Sequence, residues 1–155
     1  MLLRFLMFCA VLLWPAAALA DMQWQFIKKQ GRPYLQGAPS EPETDKQFWA
    51  LCLADGGIDI GVGAESNVGE GNGEPVTLTL AVAGATAKLA GNSRKSANFQ
   101  MTAGTELRAR IKREDALFTV LAADKPIAVS GSIKSTTWPV KGLKAKVAAF
   151  LQACK

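Results

Sequence analysis

Hydrophobic and polar residues alternate in several short stretches of the chain, and a period of two is typical of β-strands that bury one face. The stretch KQFWALCLADGGIDIGVGA alternates on both sides of an Asp-Gly-Gly sequence, so it predicts two strands joined by a turn at 54–57. A second hairpin is predicted in VTLTLAVAGATAKLAG, with its turn near Ala83 and Gly84. The alternating positions of these hairpins are Trp49, Leu51, Leu53, Ile58, Ile60, Val62, Val76, Leu78, Leu80 and Val82.

Most of the remaining sequence predicts further short strands, and the period changes only near the C-terminus. Residues 21–47 contain one strand-like piece around 24–28 and then a stretch rich in Gly and Pro, which predicts an exposed, turn-rich connection. The segments ANFQMTAGTELRARIKRED, ALFTVLAADKPIAVSGSIKS and TTWPV are each short and interrupted by Gly, Asp or Pro, as in antiparallel β proteins. One stripe of a terminal α-helix contains Leu143, Val147, Phe150, Leu151 and Cys154. The predicted fold is therefore mainly β (α+β), an antiparallel β-sandwich or open barrel of about seven to eight strands with one C-terminal α-helix.

The first twenty residues have the layout of a secretory signal peptide. MLLRFLMFCAVLLWPAAALA places Arg4 before an apolar run and ends in a small-residue cleavage site. An uncleaved membrane anchor is the alternative, but the apolar run is shorter than the roughly 20 residues that span a bilayer. We therefore expect cleavage before Asp21, a single β-rich domain at 21–155 with no transmembrane span, and a periplasmic or secreted location.

Cleavage would leave a modestly basic chain with two cysteines. Of 18 basic residues Arg4 is lost, so 17 basic and 13 acidic residues remain, too small an excess for a dedicated nucleic-acid binder. Of three cysteines Cys9 is lost, and Cys52 and Cys154 remain. Because exported proteins reach an oxidising compartment, in which two cysteines can pair, we expect a Cys52–Cys154 disulfide.

The chain contains no histidine, which argues against serine–histidine and cysteine–histidine catalysis and most zinc sites. Carboxylate pairs remain, but they fall in turn-like segments where acidic residues are common. We therefore expect no enzyme activity, no cofactor and no metal site, and a hydrolase that uses carboxylates alone is the least favoured function.

Two groups of basic residues are candidates for anion binding. In ELRARIKRED, Arg108, Arg110 and Lys112 would line one face of a strand and Arg113 would follow at its end. The alternative is a solvated strand face whose like charges discourage edge pairing. The second group is Lys141 and Lys144 at the beginning of the terminal helix, where free backbone N–H groups favour anions.

The terminal helix in KGLKAKVAAFLQACK is basic and amphipathic, which raises the alternatives of membrane binding and core packing. Core packing is favoured because its polar side is mostly alanine, whereas membrane-surface helices have strongly charged polar faces. Flanking lysines can cover the edges of a core contact with their aliphatic stems.

The C-terminal sequence TTWPVKGL, followed by a short helix and a final AC, resembles groups of small bacterial periplasmic proteins, including accessory proteins associated with type VI secretion. The cysteine in FWALCL completes the similarity. The resemblance implies an envelope protein without catalytic activity. We expect a non-enzymatic binding module that recognises another envelope protein; the alternatives are an anion-binding or glycan-binding module, for an anionic glycan or lipid head group, and an inhibitor of a wall-degrading enzyme.

Overall fold

The computed structural model describes residues 22–39, 45–63 and 67–154. The predicted signal peptide at 1–20 lies outside the described residues. The described elements are β1 (Gln23–Lys29), β2 (Arg32–Ala38), β3 (Phe48–Cys52), β4 (Ile58–Val62), β5 (Asn72–Val82), β6 (Ala85–Lys95), α1 (Phe99–Thr102), β7 (Thr105–Ile111), α2 (Ala116–Leu121), β8 (Ile127–Gly131), β9 (Thr136–Trp138) and α3 (Leu143–Ala153).

The strands form one curled antiparallel sheet with the order β1-β2-β3-β4-β7-β6-β5-β8-β9. The curl brings its two edge strands together, since Trp24 Nε1 of β1 donates to the Pro139 carbonyl after β9 at 2.7 Å. The rings of Trp24 and Trp138 also meet edge to face, with centroids 6.1 Å apart. The result is a half-barrel, which confirms the mainly β, antiparallel prediction.

Both predicted hairpins are present, as β3–β4 and β5–β6. The buried face of β3, however, carries Phe48, Ala50 and Cys52, so Trp49 and Leu51 point to the opposite face. Successive residues of a strand point to opposite faces of the sheet. An assignment of the buried positions that is wrong by one residue therefore exchanges the two faces.

Part of the predicted turn-rich segment at 21–47 is instead a regular strand. β2 pairs with β1 through a tight turn at Gln30 and Gly31, which both have positive φ and so match a two-residue hairpin turn. Pro33 is tolerated in β2 because the pairing with β3 begins only at Tyr34. The strand count is accordingly nine in the described residues rather than seven to eight.

The described residues also contain three helices where the sequence predicted one. Residues 116–121 were expected to belong to a strand, but they form α2, whose first turn is capped by Asp115 accepting from Leu117 N at 2.9 Å. Its buried side chains follow a helical spacing. They are Leu117, Phe118, Val120 and Leu121.

The C-terminal helix α3 packs into the core, as predicted. Leu143, Val147 and Phe150 are buried, and α3 lies on β1, β2 and α2, on the inner face of the sheet. The predicted Cys52–Cys154 disulfide is confirmed and links the end of α3 to β3. In the described part of the chain, no helix is long and apolar enough to cross a membrane.

Candidate functional site

The outer face of the sheet carries an open depression, which we call the arginine groove. It has a volume of about 650 Å³ and is lined mainly by Trp49, Asp59, Asn92, Arg94, Arg108 and Arg110. These residues come from β3, β4, β6 and β7, which are adjacent in the sheet. Helices α2 and α3 pack on the inner face, so they leave this surface open.

A glycine in β4 determines how the groove is built. Trp49 of β3 pairs with Gly61, and Gly61 pairs with Arg108 of β7. Because Gly61 has no side chain, the indole can lie across it; an added Cβ would be only 2.0 Å from Trp49 Nε1. The indole therefore reaches over β4 to the side chains of β7.

On β7 the indole meets a carboxylate and a guanidinium. Trp49 Nε1 donates to Glu106 Oε2 at 2.9 Å, and the Arg108 guanidinium carbon lies 4.4 Å from the centroid of the indole ring. Arg108 Nε also donates to Glu106 Oε1 at 2.7 Å. Glu106 is 4% exposed, and a buried carboxylate needs a partner for its charge. The ion pair with Arg108 provides that partner.

Tyr34 of β2 extends the aromatic part of this surface. Its ring stacks on Trp49 with an interplanar angle of 17° and centroids 6.3 Å apart. Burial, followed by the nearby negative charge of Glu106, raises the pKa of Tyr34 to about 12. The phenol is therefore neutral at physiological pH.

The predicted basic stripe is only partly a continuous charged surface. Arg108 and Arg110 both face outward on β7, as predicted, but Arg110 Nη2 is paired with Asp55 from the β3–β4 turn. The backbone N–H of Gly57 and Arg110 together lower the pKa of Asp55. Two of the arginines are thus matched by carboxylates.

The other predicted basic residues lie outside the groove. Lys112 follows the end of β7, and Arg113 Nη1 donates to the Cys154 carbonyl at 3.2 Å, so it stabilises the end of α3. Lys141 and Lys144 are exposed at the beginning of α3, which packs on the inner face of the sheet. The structure therefore does not unite the two basic groups into one site.

The glycine-rich acidic loop before β5, of which residues 67–71 are described, is held by a carboxylate from the beginning of that strand. Glu74 accepts from the backbone N–H groups of Glu70 and Asn72, the latter at 2.9 Å. The hydrogen bond from Glu70 N, followed by other polar contacts, lowers the pKa of Glu74 to about 2. Within the described ranges, no group of three potential metal ligands comes together.

Sequence reasoning missed most members of this surface, including Tyr34, Arg94, Glu106 and the outward-facing Trp49. The sequence did contain a signal for which alternate residues of β3 are buried, because Cys52 must face the helix that carries Cys154. That constraint places Trp49 on the opposite face. Comparison of the chain with protein-family models, with curated proteins and with solved structures finds no match.

Proposed function

We propose that this protein is an exported, non-enzymatic binding module of the bacterial cell envelope that recognises another envelope protein through the arginine groove. The observation that carries the proposal is the ordered Trp49–Arg108–Glu106 arrangement on an otherwise open sheet face. Tryptophan, tyrosine and arginine are the residues most enriched at the energetic centres of protein interfaces. The indole and the carboxylate already hold Arg108 in one conformation. Its side chain therefore loses less conformational entropy when a partner binds.

The charge pattern favours a protein over a polyanion. Arg108 is paired with Glu106, Arg110 is paired with Asp55, and Asp59 also lines the groove. A surface that carries both signs suits a partner that also carries both signs. Arg94 is the exception, because it is exposed and has no ion pair within the described residues.

The aromatic geometry argues against a glycan-stacking site. Trp49 lies against the backbone at Gly61, stacks with Tyr34 and is in contact with Arg108. These contacts occupy the ring faces that a sugar would need. The groove therefore offers a fixed guanidinium and polar edges rather than an open aromatic platform.

The surroundings of the carboxylates support a non-catalytic role. A general acid near neutral pH needs a raised pKa, whereas the pKa values of Asp55 and Glu74 are lowered by hydrogen bonds. Glu106 is engaged by Trp49 and Arg108, and Asp115 caps α2. Each of these acids thus has a structural task.

The direct test is site-specific photo-cross-linking in the producing cell. A photoreactive residue at Ala90, an exposed position in the groove, is expected to cross-link to one discrete envelope protein. The matched control is Thr119, which is exposed on α2 at the other face of the sheet. Equal cross-linking at both positions, or none at Ala90, would contradict the proposal.

A further inference from the structure

A second cavity, which we call the tyrosine pocket, adjoins the arginine groove and shares Trp49 and Arg108 with it. Its volume is about 210 Å³, and its lining includes Lys29, Tyr34, Lys46 and Ser96. Ligand pockets for whole small molecules usually measure roughly 300 Å³ or more, so this cavity suits a single side chain. A chain lying in the groove could extend one residue into it.

The acidic groups of the tyrosine pocket already have partners. Glu106 accepts from Trp49 and from Arg108, and Asp45 Oδ2 accepts from Thr102 Oγ1 at 2.5 Å. A cationic side chain entering the pocket would have to compete with these donors. The pocket therefore discriminates against lysine and arginine.

The donors of the pocket are less engaged than its acceptors. Lys46 makes no ion pair or hydrogen bond within the described ranges, and Lys29 Nζ lies 5.2 Å from the centroid of the Tyr34 ring. The Ser96 hydroxyl is buried and has no protein hydrogen-bond partner among the described residues. A buried polar group without a partner is destabilising, so a ligand that accepts from it gains affinity.

We infer that the tyrosine pocket takes the side-chain carboxylate of a glutamate or aspartate from the protein that binds along the arginine groove. The carboxylate would accept from Ser96 and from the lysine ammonium groups, and bonds of this charge-assisted kind are stronger than neutral ones. The edge of the Trp49 ring, which lines the pocket, would contact its methylene groups. This inference rests on the proposed function, because it names the residue that anchors the partner.

The test uses two capped peptides, Ac-Gly-Gly-Glu-Gly-Gly-NH2 and the same peptide with glutamine in place of glutamate. Each is titrated into the isotopically labelled protein at low salt while backbone amide resonances are recorded. We expect the glutamate peptide to shift the amides of Lys46 and Ser96 and to bind at least about tenfold more tightly than the glutamine peptide. Salt should weaken this binding.

Matched variants locate the effect. Lys46→Ala should remove the preference for glutamate, while Lys125→Ala, at an exposed lysine outside both cavities, should retain it. Equal binding of the two peptides, shifts confined to other residues, or an unchanged preference in Lys46→Ala would overturn the inference.

The two proposals fail in distinguishable ways. Cross-linking at Ala90 without discrimination between the peptides would overturn the acidic anchor alone. Discrimination between the peptides without cross-linking at Ala90 would support the pocket and contradict the proposed function.

Discussion

The disulfide between Cys52 and Cys154 should supply a large share of the stability of this fold. Its cysteines are 102 residues apart. In the chain-entropy treatment, a cross-link that closes a loop of that length lowers the conformational entropy of the unfolded chain, which stabilises the fold by about 4.7 kcal/mol. Unfolding free energies of domains are commonly about 5–15 kcal/mol. Replacing both cysteines by alanine should therefore lower the unfolding free energy by about 3–5 kcal/mol.

The assay is denaturant unfolding of the oxidised protein and the double-alanine variant, followed by tryptophan fluorescence. The denaturant slope should rise in the variant, since an unlinked chain exposes more surface on unfolding. Reductant should destabilise the wild type by a similar amount and leave the variant unchanged, which separates the cross-link from the packing of the two buried side chains. A loss below about 1 kcal/mol would refute the argument that the cross-link constrains the unfolded chain.

Three further predictions concern the outer face and the acidic loop. Tyr34 is the only tyrosine, so phenolate absorbance should titrate near pH 12 in the folded protein and near 10 in denaturant; its stabilising contribution is present below pH 10 and lost as the pH rises toward 12. An unperturbed titration of the folded protein would contradict the burial of the phenol beside Glu106. The contribution of Glu74 is present above about pH 4.5 and lost as the pH falls toward 2, so Glu74→Gln should flatten the acid limb of stability in thermal unfolding, and an unchanged limb would contradict this. Gly61→Ala should displace the Trp49 indole and cost about 1–3 kcal/mol of unfolding free energy, with altered near-ultraviolet circular dichroism; wild-type values would contradict the close contact.

Local sequence patterns predicted the elements whose signals are local. The Asp-Gly-Gly turn and the alternation around it were enough to predict β3–β4, and the helical spacing from Leu143 to Cys154 was enough to predict α3. β2 was missed because Pro33 and Gly37 usually interrupt strands. Both are tolerated here for tertiary reasons: Pro33 lies beyond the β3 pairing, and an added Cβ on Gly37 would be only 2.2 Å from Met22 Cε.

The candidate site was less accessible to sequence reasoning because it depends on register. The pattern correctly placed Arg108 and Arg110 on one face of β7. Their partners Glu106 and Asp55 could not be assigned without knowing the side-chain geometry and that β4 pairs with β7. The effect of Gly61 also depends on pairing, since a glycine makes room for an indole only when a tryptophan lies opposite it on the neighbouring strand.

A substitution of Arg94 shows whether the arginine groove binds a protein partner, because the charge of Arg94 is not needed for an ion pair within the described residues. The partner that photo-cross-linking at Ala90 identifies is purified and titrated into wild type, Arg94→Glu and the control Lys125→Glu. Titration calorimetry then gives the affinity of the partner for each of the three proteins. We expect Arg94→Glu to weaken binding by about tenfold or more at low salt, and Lys125→Glu to bind as wild type does. Binding of Arg94→Glu with wild-type affinity would contradict binding of the partner at the arginine groove.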